Sequence, residues 1–98
     1  MEIKKNQDGS KLNVSLSGRL DTTTAPELES SLKDDIANLT ELIFDFSALE
    51  YISSAGLRVL LSSQKTMNKQ GSMKITNVNE TIRDIFDVTG FSDILTIE

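Results

Sequence analysis

Leu12, Val14 and Leu16 alternate with Asn13, Ser15 and Ser17. That period of two predicts a strand with one buried face, ended by Gly18. Before it, Asp8-Gly9 is a hairpin-turn signal, so Ile3 through Gln7 is expected as a short edge strand. Arg19 to Thr24 reads as a connecting loop. The period then changes. Leu28, Leu32, Ile36 and Leu39 fall at spacings of four, four and three, one face of a helix, with Glu29, Lys33 and Asp34 opposite. Thr24 and Glu27 have capping-box spacing, and Pro26 in the first turn loses no hydrogen bond. Leu42-Ile43-Phe44-Asp45-Phe46 is nearly continuous apolar sequence, expected as a central strand covered on both faces. A short turn comes next, leading to Ser53-Ser54.

From about Ser54 a second helix is expected to run to Gln70. Leu57, Leu60 and Leu61 form its stripe, Met67 continues it two turns on, and Gly71 stops it. Met73 and Ile75, with Val78, mark the next strand. Asn79 is placed to cap a third helix holding Ile82, Ile85 and Phe86, which Gly90 ends. Phe91, Ile94, Leu95 and Ile97 supply a last apolar contact and a short terminal strand. The order is β-β-α-β-α-β-α-β. It predicts a single α/β domain over residues 1–98, a mixed sheet of four or five strands packed with helices. The crossovers between parallel strands are expected to be right-handed.

Composition narrows the function. Ninety-eight residues with a 38% hydrophobic share suffice for one core. A net charge of −5, with no basic stripe, argues against direct nucleic-acid binding. The start of the chain lacks a signal-peptide pattern, and no apolar run approaches a membrane span, so the expectation is a cytoplasmic protein off the membrane. There is no cysteine and no histidine. That removes thiolate chemistry, the commonest metal ligand and the usual base for an activated serine. The expectation is a protein that is not an enzyme, without metal or cofactor.

The candidate chemistry lies where the central strand hands over to the second helix. A helix start exposes unpaired N–H groups and a partial positive charge. A serine hydroxyl there either caps the helix or carries a phosphate, and Ser53 and Ser54 leave both roles open. Gly56, in the first helical turn, reads as close packing against the sheet and, compatibly with that, as room beside Ser54 for a kinase. Asp21, in its threonine-rich loop, reads most simply as a turn or cap residue. Asp45, inside an apolar strand, is expected to hydrogen-bond to turn backbone.

Phe44-Asp45-Phe46-Ser47 followed by Tyr51-Ile52-Ser53-Ser54-Ala55-Gly56-Leu57 resembles the signature of bacterial anti-sigma factor antagonists, the STAS domain. Gly18-Arg19-Leu20-Asp21 and Ile85-Phe86-Asp87-Val88-Thr89-Gly90-Phe91 resemble two further family stretches. The resemblance covers nearly the whole chain. It implies that Ser54 is the phosphoacceptor. It also implies that Asp21, Thr22 and Thr23, together with Ser53, Ser54, Ala55, Gly56, Leu57 and Arg58, form the partner-binding surface. The acidic residue that precedes the phosphoserine in the family falls on Ser53, where this sequence departs. The implied mechanism is partner switching. The unmodified antagonist binds an anti-sigma factor serine kinase and releases a sigma factor. Phosphorylation breaks the complex, and a PP2C-type phosphatase restores it. A second expectation from the same fold is a subunit of a larger assembly, such as an ABC-type lipid-transport complex, without a phosphorylation cycle.

Overall fold

The computed structural model describes all 98 residues. Strand β1 (Glu2–Asp8) turns through Gly9-Ser10 into β2 (Lys11–Leu20), which pairs with it antiparallel. Helix α1 (Ala25–Lys33) follows, then a 3-10 turn over Ile36–Asn38. Strand β3 (Glu41–Ile52) leads directly into α2 (Ser54–Gln70), then come β4 (Ser72–Thr76) and α3 (Glu80–Thr89). The strands lie in the order β1-β2-β3-β4, and both β2/β3 and β3/β4 are parallel. The expected mixed sheet therefore has four strands. The expected terminal strand is reduced to one parallel bridge between Ile97 and Ile75.

Register aligns the buried side chains. Leu12, Leu42 and Met73 stand in one row, and Val14, Phe44 and Ile75 in the next. Leu28 and Leu32 of α1, Leu57, Leu60 and Met67 of α2, and Ile82 and Phe86 of α3 join them in one core. Burying each such side chain is worth roughly 1.5–3 kcal/mol. The other face of the sheet is polar and only partly covered: Asn13, Ile43 and Lys74 form one row, Ser15, Asp45 and Thr76 another. The reading of β3 as covered on both faces is thus corrected. Ile43 is a lone apolar residue on the open side, which made an alternating strand look continuous.

Several more boundaries differ from expectation: α1 stops at Lys33, so Ile36 lies in the 3-10 turn and Leu39 beyond it, and Val78 lies past the end of β4. Gly18 does not end β2; the strand passes through it, at φ +90°, for two more residues. No turn separates Phe46 from Ser53, because β3 continues to Ile52. Two register shifts in the β2/β3 ladder, between Ser15 and Ser17 and between Gly18 and Arg19, absorb the mismatch in length. Bulges of this kind bend a strand and re-aim the residues beyond the bend. Here they deliver Leu20 beside Ile52, so both strands end at the same level.

Helix α2 is fixed at both ends. Gly71 terminates it with its N–H donated to Met67 O, and a Cβ at this position would collide with the Thr40 carbonyl oxygen. The Gln70 side-chain amide donates to Ile36 O and Leu39 O, each at 2.6 Å, which anchors the same end. At α3, the Asn79 side chain caps through Ile82 N at 2.8 Å, and Gly90 closes the helix in the left-handed region, as the sequence predicts.

Candidate functional site

The start of α2 is built by its own two serines, which divide the roles left open by the sequence. Ser53 is the N-cap, in extended geometry at φ −99°, ψ 176°, and its Oγ accepts from Gly56 N over 3.5 Å. Its backbone oxygen receives Leu57 N at 2.9 Å. Ser54 is the first helical residue; it is exposed, and its hydroxyl has no partner within the chain. Capping therefore occupies one serine and leaves the other presented to solvent beside the helix's free N–H groups.

The Asp21 loop is held against this point. Ser53 N donates to Leu20 O at 2.9 Å, joining the two β-to-α passages directly. Asp21 Oδ1 accepts from Thr23 N at 3.0 Å and Thr24 N at 3.1 Å, while Ala25 N donates to Asp21 O at 2.8 Å. The helical bonding pattern thus begins at Asp21, which caps the turn leading into α1. The Thr24–Glu27 capping box is corrected accordingly. Thr24 Oγ1 is engaged elsewhere, accepting from Asp21 N and donating to Arg19 O, each at 2.8 Å. The backbone N–H of Thr24, first among these donors, helps hold the Asp21 carboxyl below its ordinary value of 3.8.

Arg19 and Tyr51, opposite each other across β2 and β3, complete this end of the sheet. The guanidinium lies 4.5 Å from the Tyr51 ring centroid, and its Nε is 4.0 Å from Asp21 Oδ2. Sequence reasoning did not single out Arg19; only strand register shows that it faces an aromatic ring. Asp45 makes the expected backbone hydrogen bond, but to Ser47 within β3 and not to a turn. Its Oδ1 accepts from Ser47 N at 2.9 Å and Asn77 Nδ2 at 3.0 Å, and the Asn77 bond, then the Ser47 bond, lowers its pKa.

Of the residues assigned to partner contact, Ser54, Arg58, Thr22 and Thr23 are exposed, and Asp21, Ser53 and Ala55 are half-buried. Gly56 and Leu57 are buried and face the core, so neither offers a side chain to a partner; this corrects their place in the expected surface. The access role for Gly56 falls with it, because a Cβ there would point at Ile52 Cγ1 (2.7 Å) and Leu20 Cγ (2.8 Å) rather than toward Ser54. A groove of about 440 Å³ runs between α1 and α2, with Thr22, Pro26 and Glu29 on one bank and Ala55, Arg58 and Ser62 on the other. The helical spacing of Ala55, Arg58 and Ser62 was the available signal for it. No group of acidic residues is placed to hold a metal ion, and no helix is long and apolar enough to cross a membrane.

The arrangement defines a small α/β domain that displays one unpartnered hydroxyl at a helix start, beside a second β-to-α loop and a groove. The chain belongs to the STAS domain family, whose model matches residues 2–98. It is 31% identical to the anti-sigma-B factor antagonist of Bacillus subtilis over 98 residues, covering 99% of this chain and 88% of that protein. A crystal structure of an anti-sigma factor antagonist from Mycobacterium paratuberculosis superposes with a TM-score of 0.88 at 25% identity, covering 98% of this chain and 83% of that one. The phosphorylated form of the Bacillus cell fate determinant SpoIIAA shares the fold, with a TM-score of 0.78 at 18% identity over 99% of this chain and 91% of that one.

Proposed function

We propose that this chain is an anti-sigma factor antagonist switched by phosphorylation at Ser54. In the unmodified state it binds an anti-sigma factor that is itself a serine kinase, and so frees a sigma factor. The kinase transfers the γ-phosphoryl group of ATP. A bond forms between Ser54 Oγ and phosphorus as the bond to the ADP oxygen breaks, and the hydroxyl proton passes to a base of the kinase. A PP2C-type phosphatase returns serine and inorganic phosphate by hydrolysis. The observation that carries this reading is the exposed Ser54 hydroxyl, left free because Ser53 does the capping.

The switch is a consequence of charge. A phosphoserine brings about −1.5 to −2 charges. At the start of α2 these meet the positive end of the helix dipole, so the domain stays folded. Within an interface the same charge must lose its water or face like charge. A cost of about 3–4 kcal/mol lowers affinity several hundred-fold, enough to release a partner. The antagonist supplies a hydroxyl and a surface; the chemistry belongs to kinase and phosphatase.

The test is incubation with the cognate kinase and ATP, read by intact mass and peptide mapping. One phosphate on Ser54, absent in Ser54→Ala, is the expected result. A phosphate mapped to Ser53 or to a threonine of the Asp21 loop overturns the assignment.

A further inference from the structure

Resting on Ser54 as the phosphoacceptor, we propose that Arg58 is the intrahelical partner of its phosphate. Modification then changes the outer face of α2 at two positions: it adds a dianion at Ser54 and takes up the guanidinium one turn later.

Residues four apart on a helix have Cβ atoms about 5–6 Å apart, and an anion N-terminal to a cation is the favourable order. Ser54 and Arg58 have this spacing and order, and both are exposed. Arg58 is the single charged side chain between Ser54 and Gln64. It enters none of the ion pairs of the chain. The other guanidinium at this end, Arg19, is already held by the Tyr51 ring and Asp21. A guanidinium matches phosphate oxygens with a two-pronged hydrogen-bond geometry that a lysine lacks. Without phosphate, Arg58 lines the groove opposite Thr22 and Glu29. With phosphate, it is drawn toward the helix start and leaves that groove.

The pair is tested without any kinase, on full-length protein carrying phosphoserine installed at position 54 during translation. The phosphate is titrated by 31P NMR across its second ionisation, near pH ~6. The charged groups facing this helix start from neighbouring elements are Arg19, Asp21 and Glu29. Carboxylates as a class titrate near pH ~4, outside the window. An Arg58 pair favours the dianion, so Arg58→Gln is expected to raise the midpoint, a change of about twofold in the proton affinity of the phosphate. Arg58→Lys should recover part of that shift. Lys65→Gln, which removes the same charge from the same helix at a distance, should move it less. In the unsubstituted chain, Nε–H exchange at Arg58 should slow when phosphoserine replaces serine, a readout that needs no variant to fold. Coincident titrations for Arg58→Gln and the parent overturn the proposal, as does an equal shift in Lys65→Gln or an Arg58 Nε–H indifferent to the phosphate. A chain that shows the pair yet is modified by no kinase sinks the functional reading alone; a chain modified at Ser54 without the shift sinks only the pair.

Discussion

Replacing Gly56 with alanine separates packing from access at the start of α2. The added Cβ would stand 2.7 Å from Ile52 Cγ1 and 2.8 Å from Leu20 Cγ. Carbon atoms rest at about 3.5–4.0 Å, so the shortfall is close to ~1 Å on two sides. Neither neighbour swings clear cheaply: Leu20 and Ile52 are 0% and 1% exposed, and their strands are paired there. Forcing a methyl into such a core costs about 1–3 kcal/mol. Alanine's better helix propensity offsets up to ~1 kcal/mol of that. The clash is on two sides, which puts the cost in the upper half of that range, so the expected net loss is about 1–2 kcal/mol, a fall in Tm of roughly 5–15 °C for a domain of this length. Urea denaturation followed by far-UV circular dichroism should show a lower midpoint with an unchanged slope. Well below the transition, the rate of Ser54 phosphorylation should match the parent's. A variant as stable as the parent refutes the packing argument. Full stability with a collapsed phosphorylation rate would restore the access role.

The remaining predictions concern the groups around this site and the open sheet face. Asp45 is held below its ordinary value of 3.8 by Asn77 and Ser47. A lowered folded pKa gives stability that is complete above the ordinary value and lost as pH falls through the folded one. Asp45→Asn should therefore cost about 1 kcal/mol near neutrality and progressively less below pH ~4. Urea midpoints at neutral and acid pH check this, and an equal loss at both contradicts it. Ser53→Ala should lose only about 0.5 kcal/mol, the low end for a cap, because the Gly56 N to Ser53 Oγ distance is 3.5 Å. Ser53→Asp should instead be more stable than the parent by up to ~1 kcal/mol at pH 7, a carboxylate being favoured at a helix start. Thermal melts that rank Ser53→Asp below Ser53→Ala would show that the hydroxyl does more than cap.

Local chemistry wrote much of this molecule into its sequence. The alternation of Leu12, Val14 and Leu16, the stripe of Leu57, Leu60 and Met67, the Asn79 cap and the Gly90 stop are each decided within a few residues by backbone preference and side-chain period. The serine pair at the mouth of α2 was legible for the same reason. The folded chain was needed for every property that depends on a partner distant in sequence. Whether Ser47 to Ile52 is turn or strand rests on pairing with β2, whose bulges no period in β3 reveals. Which side of the sheet is covered rests on where the helices pack, so Ile43 and Asp45 read as interior until register placed them on the open face. The direction in which Gly56 faces and the meeting of Leu20 with Ser53 belong to this second class, whereas the Asp21 cap is local and was legible. Periodicity specifies an element and its apolar face, whereas the neighbours of that face are chosen by long-range hydrogen bonding and burial.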